Sequence, residues 1–120
     1  LDAKGEIKLV DFGLSLQTSQ NIIKSNSLIG TPYYMAPECQ EGFYSTKSDL
    51  WSVGVILYTL VSGYLPFQGK SQTELFNRIN NLKFHFSHEE FKSVSKECKD
   101  LISQLLVKET STRLSAAKAL

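Results

Sequence analysis

One apolar run dominates this sequence and constrains its fold more than any other feature. The run covers residues 50–61, and only Ser52, Gly54 and Thr59 interrupt it. It therefore lacks the continuous polar face of a surface helix. A helix that crosses a bilayer needs roughly 18 or more apolar residues, and this run is too short for that. The sequence predicts a central helix over residues 47–62, buried on all sides, with the rest of the chain packed around it.

Composition and charge describe one domain without a nucleic-acid or membrane partner. The 120 residues are 42% hydrophobic, which is sufficient for one core. With 13 basic and 12 acidic residues, the net charge of +1 provides no basic surface for nucleic acid or an anionic membrane. Cys39 and Cys98 match neither a disulfide framework nor a zinc pattern, and His85 and His88 lack further metal ligands. We therefore expect two surface histidines and a reducing, cytoplasmic location.

The N-terminal part combines a strand pattern with a long loop. Residues 6–10 alternate polar and apolar side chains, which predicts a short strand leaving a hairpin. Residues 15–27 are rich in Ser, Gln, Asn and Thr and predict a loop. Loops longer than about 12 residues are usually functional or disordered, so this loop is a candidate switch segment. Because the sequence does not begin with Met, we expect a piece of a longer protein.

Three more helices are predicted after the central one. Ser71 and Glu74 have the spacing of a capping box, and the apolar face that follows them consists of Leu75, Phe76, Ile79 and Leu82. Ser95 is expected to cap the next helix, whose apolar positions are Cys98, Leu101, Ile102, Leu105 and Leu106. Ser115 is expected to cap a short last helix. These patterns predict a mainly helical chain.

Three motifs follow one another in a characteristic order. Asp-Phe-Gly stands at residues 11–13, directly after the predicted strand, and alone it is too short to be specific. Gly-Thr-Pro-Tyr-Tyr-Met-Ala-Pro-Glu follows at residues 30–38, Asp-Leu-Trp-Ser-Val-Gly at residues 49–54, and Arg113 in the last segment. In this order they resemble the C-terminal lobe of a eukaryotic protein kinase over the whole chain. Residues 30–38 have the form found in Ser/Thr kinases.

The resemblance implies a fold and a reaction. The fold is mainly α, a kinase C-lobe in which a helical bundle surrounds one buried central helix and a short β-hairpin strand lies at the N-terminus. Residues 1–120 would form a partial kinase domain, with the activation segment at residues 11–38. The implied cofactors are ATP and Mg²⁺. The implied partners are protein substrates and the kinase N-lobe, which would precede these residues in the full-length chain.

The start of the activation segment carries the implied chemistry. Asp11 is expected to hold the Mg²⁺ that bridges the β- and γ-phosphates of ATP, although an isolated Asp before Gly is more often a solvated turn residue. Phe12 and Gly13 would complete this cofactor-binding motif, with Phe12 packing against the other lobe or simply in the core. Gly13 would supply backbone freedom. Thr31 is expected to hydrogen-bond the catalytic Asp and Lys.

Two serines of the loop are candidates for an activating phosphate. Ser27 stands four residues before Thr31, where this family often carries such a phosphate, and Ser25 is the alternative site. A phosphate adds roughly −1.5 to −2 charges and orders a loop by finding a basic partner. The alternative interpretation is that Ser27 is one more polar loop residue, since some relatives need no phosphate there.

Other positions are implied to support the site. Glu38 and Arg113 resemble a buried bidentate ion pair that ties the activation segment to the last helices. Asp49 resembles the aspartate at a helix start that holds the catalytic loop, and Trp51 is expected to pack under Pro37. Two residues one turn apart on the central helix resemble the base of the apolar stack below the adenine ring, namely Ile56 and Leu60.

The same resemblance shows which catalytic groups these residues lack. The sequence contains no Gly-rich phosphate loop, no Val-Ala-Ile-Lys motif and no His-Arg-Asp catalytic loop. Residues 1–120 alone are therefore expected to be inactive. Residues 57–67 and the helix after them resemble the calcium- and calmodulin-dependent and the calcium-dependent kinases. Calmodulin or an EF-hand domain in the same protein is thus a candidate partner, although this chain has no EF-hand loop.

Two alternatives to an active kinase remain open at this point. A helical lobe of this kind could act as a non-catalytic module that binds substrates or a kinase as a decoy. The binding surface would then be residues 31–38 together with the helix at residues 71–82. A pseudokinase lobe is the other alternative. In either case, the face that meets the other lobe should leave an apolar patch that promotes self-association.

Overall fold

The computed structural model describes residues 1–17 and 22–120, and these residues are mostly helical. The helices are α1 (Thr46–Ser62), α2 (Gln72–Asn80), α3 (Lys96–Leu105) and α4 (Ala116–Ala119). Two short strands, β1 (Ile23–Lys24) and β2 (Phe43–Tyr44), form an antiparallel pair. Single turns of 3-10 helix lie at Phe12–Leu14, Pro32–Tyr34, Pro37–Glu41 and Glu89–Lys92. None of the described helices has both the length and the hydropathy to cross a membrane.

Helix α1 begins at a capping box and ends at a glycine. The Ser45 hydroxyl accepts from the Lys47 amide, and the Ser48 hydroxyl accepts from the Ser45 amide. Gly63 ends the helix with a φ of 76°, a conformation that glycine adopts without strain. Gly54 lets α3 approach closely, because a Cβ at this position would lie 2.8 Å from the Leu105 Cβ. The helix thus starts one residue earlier than predicted.

The burial of α1 is one-sided, and the prediction that it is buried on all sides is wrong. Trp51 and Tyr58 are fully buried. Val53, Ile56 and Leu60 are 48%, 47% and 77% exposed. At 3.6 residues per turn these three lie on one stripe of the helix. No described element covers this stripe, so an apolar composition did not ensure burial.

The predicted caps of the later helices form in part. Ser71 accepts from the Glu74 amide, but the Glu74 carboxylate accepts from the Lys70 amide instead of returning to Ser71, so only half of the capping box forms. Ser95 caps α3 as predicted, accepting from the Cys98 amide. Ser115 precedes α4 without a side-chain capping bond. The predicted apolar face of α2 is shorter than expected, since Leu82 lies beyond its end and is exposed.

The strand predicted at residues 6–10 is not formed. These residues have no strand partner among the described residues, and their apolar side chains are exposed. The strands lie elsewhere, with Ile23 opposite Tyr44 and Lys24 opposite Phe43. Residues 15–27, predicted as a loop, therefore contain β1, and residues 18–21 of that loop lie outside the described residues.

The core is built around an aromatic cluster between α1 and the segments that precede and follow α2. Trp51 stacks on Phe67, with ring centroids 5.6 Å apart and planes 10° from parallel. Tyr58 packs against Phe91 at 4.9 Å and donates its hydroxyl proton to the His85 carbonyl. Such aromatic pairs contribute roughly 0.5–1.5 kcal/mol each beyond their buried area. The cluster fixes the face of α1 on which residues 35–39 and α3 rest.

Candidate functional site

The Asp-Phe-Gly motif forms a strained turn at the surface. Asp11 has φ 63° and ψ 72°, in the left-handed region that non-glycine residues seldom occupy. Its carboxylate accepts from the Gly13 amide at 3.4 Å. A Cβ on Gly13 would lie 3.2 Å from this carboxylate oxygen, so glycine makes the approach possible. Asp11, Phe12 and Gly13 are all exposed, and Phe12 is thus not a core residue of this chain.

Residues 30–38 leave the surface and become buried against α1. Thr31 is exposed, and its carbonyl accepts from the Tyr34 amide at 3.0 Å. The Ser52 hydroxyl of α1 donates to the Tyr34 carbonyl at 2.8 Å. Residues 35–37 are buried. A groove of about 220 Å³ opens beside this segment, lined by Pro32, Tyr33, Gly69, Lys70, Ser71, Gln72 and Leu75.

Glu38 and Arg113 are joined in a two-point ion pair. The Arg113 Nη1 lies 2.7 Å from Glu38 Oε1, and Nη2 lies 2.9 Å from Oε2. The Arg113 side chain is 0% exposed and that of Glu38 is 15% exposed. Ser48 of α1 donates to the same carboxylate at 2.9 Å. Further Arg113 N–H groups donate to the carbonyls of Val107 and Lys47 at 2.8 Å each. The pair therefore connects three distant stretches of sequence.

The environment shifts the pKa of several groups in this region. Burial is the largest single influence on the Glu38 carboxyl and raises its pKa. The hydrogen bonds and positive charge of Arg113, together with hydrogen bonds from Ser48 and the backbone, lower the pKa by more. The pKa of Glu38 is therefore lowered overall. Burial raises the pKa of the Cys39 thiol next to it. Asp49, one turn into α1, has its carboxyl pKa raised by desolvation. Glu38 is thus held as a carboxylate, whereas Cys39 is held as a thiol.

The remaining predicted support residues fall into two environments. The Trp51 ring stacks on Phe67, and the Arg113 guanidinium stands over the same ring, 5.2 Å from its centroid. This contact joins the aromatic core to the ion pair. Asp49 is exposed. Ile56 and Leu60 lie on the exposed stripe of α1 described above.

The two candidate phosphorylation sites differ in accessibility. Ser27 is exposed, and its hydroxyl makes no hydrogen bond with the described residues. Ser25 is half-buried, and its hydroxyl both accepts from the Ser27 amide at 3.2 Å and donates to the Ser27 carbonyl at 3.3 Å. The Ser27 side chain is thus the more exposed of the two.

The site residues are not all brought together. No hydrogen bond joins Asp11 to Thr31 within the described residues, and these residues contain no cluster of three or more possible metal ligands. His88 is half-buried and stacks on Tyr64 at 4.6 Å, whereas His85 is exposed.

Sequence reasoning missed four polar residues that organise this region. Ser48 bonds to Glu38, and Ser52 bonds to the Tyr34 carbonyl. Lys47 donates to the Arg113 carbonyl, and Tyr44 bonds to the loop around Ser27. Ser45 and Ser48, three residues apart before an apolar run, could have been read as a cap. The long-range partners had no signal in the sequence.

Known proteins resemble this chain over nearly all of its length. A family model described as protein kinase domain matches residues 1–120. Serine/threonine-protein kinase PEPKR2 of Arabidopsis thaliana is 43% identical over 100% of this chain and 25% of its own length. Calcium-dependent protein kinase 3 of Plasmodium berghei is 39% identical over 95% of this chain and 21% of its own length. Myosin light chain kinase family member 4 of Homo sapiens is 45% identical over 99% of this chain and 30% of its own length. The chain thus spans less than a third of each of these relatives.

Proposed function

This chain belongs to the serine/threonine protein kinases of the protein kinase domain family, and we propose that it is the C-terminal lobe of an active member. The full-length protein would transfer the γ-phosphate of ATP to Ser or Thr hydroxyls of protein substrates. Residues 11–38 would serve as its activation segment. Asp11 would bind the metal, Thr31 would contact the catalytic loop, and the surface around residues 31–38 would face the substrate.

The conformation of Asp11 is the observation that carries this proposal. A left-handed aspartate costs conformational energy, and such strained residues cluster at functional sites. Here the left-handed conformation occurs at an exposed aspartate, and the Gly13 amide donates to one of its carboxylate oxygens.

The donor chemistry fits magnesium bound together with ATP. Magnesium prefers oxygen ligands and commonly takes one or two carboxylates, with waters and substrate phosphates completing its shell. One exposed carboxylate therefore fits a metal brought by the nucleotide. Bound there, the ion would neutralise charge on the transferring phosphate. Asp11 would orient that complex, and Phe12 and Gly13 would shape its border.

Residues 1–120 alone are proposed to be inactive. They contain no His-Arg-Asp sequence to supply a catalytic base and no Gly-rich loop to hold the phosphates. Ile56 and Leu60, exposed on α1, would support the nucleotide site from below once the other lobe covers them. The Glu38–Arg113 pair would anchor the end of the activation segment beside Trp51, and Asp49 would hold the backbone of the catalytic loop.

Regulation by calcium is a finer part of the proposal. One relative is named as a calcium-dependent kinase, and the helix after residues 57–67 fits the pattern expected for that group. We propose an EF-hand domain or a calmodulin-binding segment elsewhere in the protein. Phosphorylation would occur at Ser27 in preference to Ser25, because its hydroxyl is the accessible one. Two free cysteines agree with a cytoplasmic location.

The test compares two aspartates in the full-length protein. Asp11→Ala should abolish γ-phosphate transfer to a protein substrate, since the metal loses its ligand. Asp100→Ala, at an exposed position of α3, is the matched control and should retain wild-type turnover. Undiminished transfer by Asp11→Ala would rule out the metal role. The mass of the natural product, from an immunoblot with an antibody to residues 15–29, should be far above 13.5 kDa.

A binding module without catalysis is the second candidate function. The groove of about 220 Å³ beside Pro32 and Tyr33 favours it, because residues of this chain form a concave surface there. A pseudokinase would use the same groove. If the natural product runs at 13.5 kDa, or if the full-length wild-type protein binds substrate peptides without phosphorylating them, this second function replaces the first.

A further inference from the structure

The hydroxyl of Tyr44 bridges two backbone groups of the activation segment. It accepts from the Ile29 amide at 2.8 Å and donates to the Ser27 carbonyl at 3.1 Å. Tyr44 lies at the end of β2, 15 residues from Ile29 in sequence. Both capacities of the hydroxyl are thus used on one short stretch of the loop.

Three further contacts hold the preceding residues 23–25 against residues 42–44. Strand β1 pairs with β2, and the Ser25 amide donates to the Gly42 carbonyl at 2.8 Å. Gly42 has a φ of 82°, and a Cβ on it would lie 2.2 Å from the Ser25 carbonyl oxygen, so only glycine permits this approach. The Lys24 ammonium stands 5.6 Å from the Phe43 ring centroid. Residues 23–29 are therefore tied to residues 42–44 at several points, and Tyr44 makes the last tie before Gly30.

We propose that Tyr44 is a positioning residue of the kinase reaction, which holds residues 27–29 and through them the substrate-facing residues 31–33. This inference rests on the proposed function. Ile29 is followed only by Gly30, at φ 113°, before Thr31 begins the segment beside the groove. Only one residue therefore separates Ile29 from Thr31, so the position of the Ile29 backbone limits where Thr31 can lie.

The tie does not depend on modification of Ser27. Tyr44 bonds the main chain, so the Ser27 side chain remains exposed to solvent. Neutral hydrogen bonds thus order this stretch in the unmodified chain. A phosphate on Ser27 would add to an order that Tyr44 has already established.

The experiment uses Tyr44→Phe in the full-length protein, with two readouts. Amide hydrogen exchange at Ile29 should become about tenfold faster, because this amide loses its acceptor while the ring is kept. In phosphoryl-transfer assays the KM for a peptide substrate should rise about tenfold, whereas the KM for ATP should stay within about twofold. Tyr64→Phe is the matched control, since the Tyr64 hydroxyl makes no hydrogen bond with the described residues.

Two results would overturn the proposal. Unchanged Ile29 exchange in Tyr44→Phe would show that the hydroxyl does not hold the loop. Equal rises in both KM values would show a general structural defect instead of positioning of the substrate-facing residues. A wild-type full-length protein without transfer activity would instead reject the proposed function, and the Ile29 exchange rate would still decide whether Tyr44 holds the loop.

Discussion

Residues 1–17 and the helical part of the chain contain similar apolar side chains in opposite environments. In the N-terminal segment Ile7 and Leu9 are 85% and 84% exposed, and no residue of 1–17 is buried. In the helical part Ile79 and Ile102 are fully buried. The polar–apolar pattern is equally clear in both regions, so pattern alone does not explain the difference.

The two regions differ in how their backbone hydrogen bonds are satisfied. An α-helix satisfies its backbone groups within its own sequence, and burial of one face then stabilises it. A strand needs a second strand to satisfy its amides and carbonyls. Among the described residues, residues 6–10 have no neighbouring strand. Their backbone therefore has no strand to pair with, and their apolar side chains have no core to pack against. A strand pattern thus predicts a strand only where a partner strand is present, whereas a helix pattern needs only an apolar surface to pack on.

The largest expected effect comes from the ion pair that holds the helical part together. Arg113→Ala leaves Glu38 buried without its partner and should lower the free energy of unfolding by about 3–5 kcal/mol. Urea denaturation followed by fluorescence of Trp51, the single tryptophan, measures this directly. Arg78→Ala is the control, because Arg78 pairs with Glu74 at the surface and should cost less than about 1 kcal/mol. Similar losses in the two variants would mean that Arg113 does not organise the helical part.

The next effect tests how closely α1 and α3 pack. Gly54→Ala places a methyl group 2.8 Å from the Leu105 Cβ and 3.0 Å from the Leu106 Cδ2. Such overpacking should lower the free energy of unfolding by about 1–3 kcal/mol. Val53→Ala, on the exposed stripe of the same helix, should change it by less than about 0.5 kcal/mol in the same denaturation experiment. A neutral Gly54→Ala would show that the helices separate readily.

Parts of the fold and of the candidate site could be predicted from the sequence, and other parts could not. The end of α1 and the Ser95 cap of α3 were predicted from the sequence, because both depend on local residues. The exposed stripe at Ile56 and Leu60 was not, since burial depends on which elements surround a helix. The β1–β2 pairing was missed because each strand has two residues and nothing local specifies its partner. For the candidate site, the motifs identified Glu38 and Arg113, but the bonds of Tyr44 and Ser48 depend on three-dimensional proximity.

Acid should weaken the helical part through Glu38. Its pKa is lowered in the folded chain from an ordinary value of 4.5, so near that pH the unfolded chain binds more protons. The stabilisation is complete above pH 4.5 and is lost as the pH falls through the lowered folded value. Asp49, with its raised pKa, acts in the opposite direction and reduces the net slope. In urea denaturation at a series of pH values, Glu38→Gln should be less stable than wild type at pH 7.

The difference in stability between wild type and Glu38→Gln should depend on pH. The gap between wild type and Glu38→Gln should narrow steadily as the pH falls below 4.5. Glu90→Gln, at an exposed position, should show no such gap at any pH. A gap that stays constant down to the lowest pH would mean that the charge of Glu38 does not stabilise the folded chain.

The smallest effect on the free energy of unfolding is expected in the N-terminal segment, residues 1–17. It tests most directly the contrast between this exposed segment and the buried helical part. Leu9→Ala removes a side chain that gains no burial on folding, so the free energy of unfolding should change by less than about 0.5 kcal/mol. Ile102→Ala removes a fully buried side chain and should cost about 2–5 kcal/mol. Repeating Leu9→Ala in the full-length protein sharpens the contrast. A cost there comparable to that of Ile102→Ala would show that residues 6–10 acquire a partner strand and a core to face, because the alternating side chains would then be buried.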